Sequence, residues 1–182
     1  MAKFYNVMNE ELRDFIRRQH VFFVATAPVD GRINLSPKGM NTFRCLDDFT
    51  VAYLDLTGSG NETSAHLLEN GRMTIMFCSF DENPRILRLY GNGRVVRSRD
   101  EGWGRFFSLF DDLPGKRQII VMNISDVQTS CGFAVPLYEY QGERETLLRW
   151  AENKGDAGIR DYWREKNQVS IDGLPTRIVD GY

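Results

Sequence analysis

The sequence predicts a mainly β, α+β chain in which about six antiparallel strands close into a barrel or strongly coiled sheet, with flanking helices and a helical C-terminal extension. Three observations carry that reading. Six segments rich in β-branched and aromatic residues recur before residue 128. Turn signals short enough for antiparallel neighbours join two pairs of them. Helical spacing is confined to the N-terminus, two interruptions and the stretch past residue 140. With so few helices between strands, a doubly wound parallel sheet is excluded.

Taken in order, Met8, Leu12, Phe15 and Ile16 share one helical face. Asn9 caps that helix, Glu10 and Glu11 occupy its first turn, and Arg17 and Arg18 its last, each with the sign the helix dipole favours. Residues 21–27, 32–36, 50–56, 72–80, 85–97 and 119–127 then read as strands. Asp30-Gly31 supplies a hairpin turn signal, because glycine adopts positive φ cheaply, and residues 81–84 make a second hairpin connection. Residues 61–70 form a helix with Asn61 or Thr63 as cap and Asn70-Gly71 as stop, and residues 100–110 form another. Beyond residue 140, Leu147, Leu148 and Trp150 mark one short helix, Gly155 a break, and Ile159, Tyr162 and Trp163 a second helix. The expected organisation is a domain over residues 1–140 with residues 141–182 packed on it.

Composition narrows the function. The 182 residues carry 23 basic and 25 acidic side chains, a net charge of -2, which argues against a generic nucleic-acid binder. Hydrophobic residues at 42% suit a globular core, and a chain of this length buries enough surface to need no disulfide or structural metal. Cys45, Cys78 and Cys131 stand far apart without C-x-x-C pairing, and His20 and His66 lack acids at ligand spacing, so neither a disulfide framework nor a metal site is expected. The N-terminus has no apolar signal region, and the longest mostly apolar stretch, residues 21–29, is far short of the roughly 20 residues a membrane helix needs. The expectation is a cytoplasmic protein with no membrane partner.

Two stretches carry chemistry. Thr57-Gly58-Ser59-Gly60-Asn61-Glu62-Thr63 lies between a strand and a helix, where a glycine loop feeding a helix N-terminus presents free N–H groups and the positive dipole end to an anion. An ordinary strand-to-helix turn would use the same glycines. No P-loop lysine follows, and Thr63 stands where a dinucleotide turn needs its third glycine. Arg32-Ile33-Asn34-Leu35-Ser36-Pro37-Lys38-Gly39 is a strand that ends on proline and exposes a hydroxyl and an ammonium, either as a ligand contact or as a solvated strand end.

Together these stretches, with Tyr53-Leu54-Asp55-Leu56 before the loop, Ser64-Ala65-His66 after it and residues 72–77 beyond, resemble the FMN-binding split β-barrels related to pyridoxamine 5′-phosphate oxidase. The resemblance spans about residues 8–128. It implies a six-stranded antiparallel split β-barrel, FMN as cofactor and a homodimer with the cofactor at the subunit interface. Carried over by position, Asn34, Ser36 and Lys38 border the flavin, and Thr57, Gly58, Asn61, Glu62 and Thr63 form the phosphate end.

The departures are informative. Where oxidases proper carry a Ser-Arg-Lys type sequence, this chain has Asn61-Glu62-Thr63, so two cations are missing and a carboxylate has replaced one. Like charges 4 Å apart repel by about 4 kcal/mol at an effective dielectric of 20, while a helix N-terminus contributes about 0.3–2 kcal/mol. Glu62 must therefore point away from a phosphate, and Lys38, Arg32 or a partner-subunit arginine must supply the cation. The oxidase's C-terminal substrate signature is absent, so vitamin B6 oxidation is not implied.

The resulting expectation is a flavin-dependent oxidoreductase acting on an unidentified small organic substrate, with no catalytic side chain assigned. The alternatives are a non-catalytic flavin-binding, storage or sensor protein and a deazaflavin-dependent reductase. Cys131, in the loop after the last strand, reads either as a neighbour of substrate or as a buried structural cysteine. His66 reads as a helix-packing residue or a proton donor near the phosphate loop. Arg85, Arg88, Arg94 and Arg97 alternate with apolar residues and read as outward-facing.

Overall fold

Eight antiparallel strands form one curled sheet in the computed structural model, which describes residues 2–180. They are β1 (Lys3–Tyr5), β2 (Phe22–Thr26), β3 (Asn34–Lys38), β4 (Phe43–Cys45), β5 (Thr50–Leu56), β6 (Arg72–Cys78), β7 (Ile86–Val96) and β8 (Lys116–Ser130). Four helices accompany them: α1 (Glu10–Arg17), α2 (Glu62–Glu69), α3 (Trp103–Phe107) and α4 (Thr146–Lys166). The sheet runs β3-β2-β6-β7-β8-β5-β4, with β1 on the far end of β8. Strands β3 and β4 follow each other in sequence yet sit at opposite ends of this order, so the sheet curls round without closing by hydrogen bonds. This is the split half-barrel.

All six expected strands are present, and β1 and β4 are additional. Each of the two has three residues, too few for a period-two pattern to show. The β2–β3 connection also differs from the tight hairpin suggested by Asp30-Gly31. Thr26 pairs with Asn34, so residues 27–33 form a longer loop, in which Gly31 at φ 135° abuts the Asp172 carboxylate.

Strand alternation explains the continuous apolar runs. Val51 and Tyr53 of β5 join Phe22, Val24, Ile75, Phe77, Leu87, Leu89, Ile120 and Met122 in one core, together with Met8, Leu12, Phe15 and Ile16 of α1. Asn9 starts that helix as expected, its Oδ1 accepting from the Leu12 N–H at 3.0 Å. Ala52 and Leu54 of β5 belong to a second cluster with Val96, Ile119 and Val121, against which Trp103, Phe106, Phe107 and Phe110 pack. Both faces of the central strands are thus covered.

The C-terminal helix α4 breaks at Gly155 (φ 62°, ψ 171°), as the sequence predicts. Its Ala151, Ile159 and Trp163 form a third cluster with Ile178 of the tail. Among the described residues, no helix is long and apolar enough to cross a membrane.

Candidate functional site

Strand β3 places Asn34, Ser36 and Lys38 on one half-buried face, while Leu35 and Pro37 are exposed on the other. The first two belong to a polar chain: the Ser36 hydroxyl donates to Asn34 Oδ1 at 3.0 Å, and Asn34 Nδ2 donates to Thr63 Oγ1 at 3.2 Å and Thr26 Oγ1 at 3.3 Å. Thr26 Oγ1 is also hydrogen-bonded to Nδ1 of the fully buried His66, 3.0 Å away. His66 therefore faces the sheet from α2 and takes part in this chain as well as in packing.

Lys38 reaches a different partner. Its ammonium donates to Asp55 Oδ1 at 2.8 Å, while Asp55 Oδ2 accepts from Arg117 Nη2 at 2.8 Å, Arg117 Nε at 3.1 Å and Gln118 Nε2 at 2.9 Å. Asp55 is 2% exposed. Burial alone would raise its pKa, but the Arg117 guanidinium and then the Lys38 ammonium outweigh that and hold the carboxyl well below the usual carboxylate range. Two cations on one carboxylate leave this cluster with a net positive charge.

The glycine loop is held from behind. Thr57 N–H and hydroxyl both donate to the Gly115 carbonyl at 2.8 Å, and the Trp163 indole N–H donates to Thr57 Oγ1 at 2.9 Å. Arg117 Nη1 donates to the Gly60 carbonyl at 2.9 Å and to Asn167 Oδ1 at 2.8 Å, while Asn167 Nδ2 donates to the Gly58 carbonyl at 3.2 Å. Gln118 Nε2 donates to Asn61 Oδ1 at 2.7 Å, leaving buried Asn61 Nδ2 without a partner among the described residues.

A cavity of about 1260 Å³ lies in front of this loop. Lys38, Thr57 and Gly58 line it, together with Leu54, Leu56, Trp150 and Tyr162. Arg18, His20, Phe80, Tyr138, Tyr140 and Arg144 also line it. His20 and Tyr140 stack with centroids 3.6 Å apart and 2° between planes. Arg18 and Arg144 make no ion pair or side-chain hydrogen bond among the described residues.

The nine residues singled out from sequence fall into three groups. Lys38, Thr57 and Gly58 meet on the cavity, and Asn34, Ser36 and Thr63 share the adjoining polar chain. The side chains of the remaining three do not line the cavity, although the Glu62 carboxylate stays close to the loop, its Oε1 3.2 Å from where a Cβ on Gly60 would stand. Asn61 is buried against Gln118, both Glu62 carboxylate oxygens accept from the Ile171 N–H at 3.1 Å, and Arg32 pairs with Asp172 through its side chain and its own backbone N–H.

Two expectations outside that set need correction. Arg97 is buried, donating to Ser64 Oγ at 3.2 Å and the Thr176 carbonyl at 2.6 Å, because the C-terminal tail supplies acceptors on what would otherwise be an outer face. Cys131 is exposed rather than buried. Sequence reasoning also missed Asp55, Arg117 and Asn167. A carboxylate inside an apolar strand was the available signal for Asp55, since such a group needs a cation.

Comparison with known proteins fits this geometry. Residues 8–131 match the family model described as pyridoxamine 5′-phosphate oxidase. The chain belongs to the pyridoxamine 5′-phosphate oxidase family. It is 42% identical over 195 residues to the pyridoxamine 5′-phosphate oxidase family protein ustO of Aspergillus flavus, covering 96% of this chain and 78% of that one. Among solved structures it is similar to HupZ of Group A Streptococcus (TM-score 0.53, 21% identity, 65% of this chain and 90% of that chain). It is also similar to a putative pyridoxamine 5′-phosphate oxidase from Lactobacillus delbrueckii (TM-score 0.55, 18% identity, 68% and 94%). At these identities the structural likeness speaks for the fold of the family. The family model ends at residue 131, so Trp163 and Asn167, which grip the glycine loop, lie beyond it.

Proposed function

We propose that this member of the pyridoxamine 5′-phosphate oxidase family is an FMN-binding, cytoplasmic homodimer that carries out oxidoreduction of a small organic substrate. One observation carries the reading: Lys38 from the strand end and Thr57 and Gly58 from the glycine loop, assigned to the cofactor from separate stretches of sequence, line the same large cavity.

The residues present suit such a group. An added Cβ at Gly58 would meet nothing nearer than 4.0 Å, so the loop leaves room for close approach. The Lys38–Asp55–Arg117 cluster keeps a net positive charge beside it, and Arg18 and Arg144 add two cations to the cavity lining. The aromatic and aliphatic walls suit a planar ring system. FMN would supply the electron-transfer capacity; the chain would bind, orient and shield it. Dimerisation is supported by β3, an edge strand whose neighbourhood leaves Val29, Ile33 and Leu35 exposed, a row of apolar side chains that a second copy would cover.

Purification followed by a visible spectrum, mass spectrometry of any released cofactor and FMN titration of the stripped protein tests the proposal. The expected result is a yellow protein releasing FMN and rebinding it as a dimer by analytical ultracentrifugation. A colourless protein that neither binds nor is thermally protected by added FMN would overturn it.

A further inference from the structure

The glycine loop is shaped by residues that lie far from it in sequence. Its Gly58 carbonyl accepts from Asn167 Nδ2 at 3.2 Å, and its Gly60 carbonyl accepts from Arg117 Nη1 at 2.9 Å. In a trans peptide the carbonyl of one residue and the N–H of the next point in opposite directions. The Ser59 carbonyl also lies 3.5 Å from Asn167 Nδ2, so with the carbonyls of Gly58, Ser59 and Gly60 turned back toward Asn167 and Arg117, the N–H groups of Ser59, Gly60 and Asn61 face the other way. None of these three N–H groups finds an acceptor among the described residues. Successive N–H groups turned the same way make an anion-binding concavity, here next to the start of α2.

Asn167 holds this arrangement together from the end of α4. It is fully buried, and each of its polar groups is used: Oδ1 accepts from Arg117, Nδ2 reaches the loop, its N–H donates to the Trp163 carbonyl and its carbonyl accepts from Thr176 Oγ1 at 2.5 Å. Arg117 in turn is locked by Asp55 through Nε and Nη2, so its Nη1 is left to bridge the Gly60 carbonyl and Asn167 Oδ1. We infer that Asn167 is a positioning residue: by fixing Arg117 and the Gly58 carbonyl, it turns the loop's N–H groups toward a ligand phosphate, and the C-terminal extension thereby completes the cofactor site. The inference rests on the flavin-binding reading above and adds to it a role for a segment outside the family model's span.

Comparing FMN with riboflavin, which lacks the phosphate, isolates this role. Both ligands are titrated by flavin fluorescence into stripped wild-type protein, Asn167→Ala and the nearly isosteric Asn167→Asp, with thermal unfolding in parallel. The expected result is that wild type prefers FMN. Both variants should lose about tenfold or more of that preference, the scale of one or two reorganised hydrogen bonds, while riboflavin affinity stays unchanged. Asn167→Asp keeps an acceptor for Arg117 but sets a carboxylate against the Gly58 carbonyl, so it tests the loop contact even if the alanine variant does not fold. A folded variant that retains the FMN-to-riboflavin ratio, or loses both affinities equally, would overturn the inference. A wild type that binds neither flavin would instead overturn the functional reading, and this inference with it.

Discussion

Lys38 and Asp55 join the edge strand β3 to β5, near the opposite end of the strand order, by an ion pair of 2.8 Å, although these strands are not neighbours in the sheet. The carboxylate is buried and shared with Arg117 at the same distance. Removing it strands two cations in a largely desolvated place. Asp55→Asn should therefore cost about 3–5 kcal/mol of stability, the range for breaking a buried pair from one side, read from urea unfolding at pH 7. A loss below about 1 kcal/mol would show that the cluster relaxes into solvent.

The same carboxyl sets a pH dependence. Its folded pKa is depressed, so its contribution is fully present above the unfolded value of about 3.9 and is lost as pH falls from there toward the folded value. Wild-type stability should thus decline below about pH 4 more steeply than that of Asp55→Asn, and the gap between the two should narrow. Unfolding free energies measured from pH 6 down to pH 2.5 check this; parallel curves would remove Asp55 as the source.

Much of this was legible in the sequence because it is local. Positional resemblance to the family singled out Asn34, Ser36 and Lys38, which the structure places on one face of β3, and the glycine loop announced its strand-to-helix junction. What was not legible joins residues distant in the chain. Nothing near Asp55 says that its cation comes from position 117, and nothing near Thr57 says that an indole 106 residues later will bond it. Arg97 is the clearest case. Alternation along β7 put it outside, and it is buried because the tail lies across that surface with the Thr176 carbonyl turned toward it.

Thiol reactivity follows from burial. Burial pushes the Cys45 thiol up to about 11 and raises that of Cys78, while Cys131 is exposed. At pH 8 iodoacetamide should alkylate Cys131 first, leaving Cys45 and Cys78 slow until denaturant is added. Peptide mass mapping over time checks the order, and rapid modification of Cys45 in the folded protein would contradict its placement.

Glycines separate close packing from open space. At Gly91, beside the register shift between β7 and β8, an added Cβ would run into the Asn123 carbonyl oxygen, a backbone atom that cannot swing away. Gly91→Ala should cost about 3 kcal/mol or more. At Gly104 in α3 a Cβ meets nothing within 4 Å, so Gly104→Ala should leave stability unchanged or raise it by about 0.5–1 kcal/mol. Denaturant midpoints of the two variants check the contrast: a marked fall for the first and none for the second.

Lys38, Arg32 and a partner-subunit arginine were the sequence's candidates for the phosphate cation, and the structure separates the first two. Arg32 is exposed, tied to Asp172 and absent from the cavity wall, so Arg32→Ala should change FMN affinity less than about twofold. Lys38 stands on that wall, and without it Asp55 and Arg117 cancel, leaving the cluster neutral. Lys38→Met keeps most of the side chain's length while deleting the charge, which avoids the second carboxylate that Lys38→Glu would press against Asp55. A unit charge near a phosphate is worth up to about 4 kcal/mol at a partly solvated site, so a loss of at least about tenfold in FMN affinity is expected. Fluorescence titration of both variants, beside their unfolding curves, decides it. Unchanged binding by Lys38→Met removes that lysine from the site, and an equal loss in Arg32→Ala would mean that the loop between β2 and β3 moves when ligand binds.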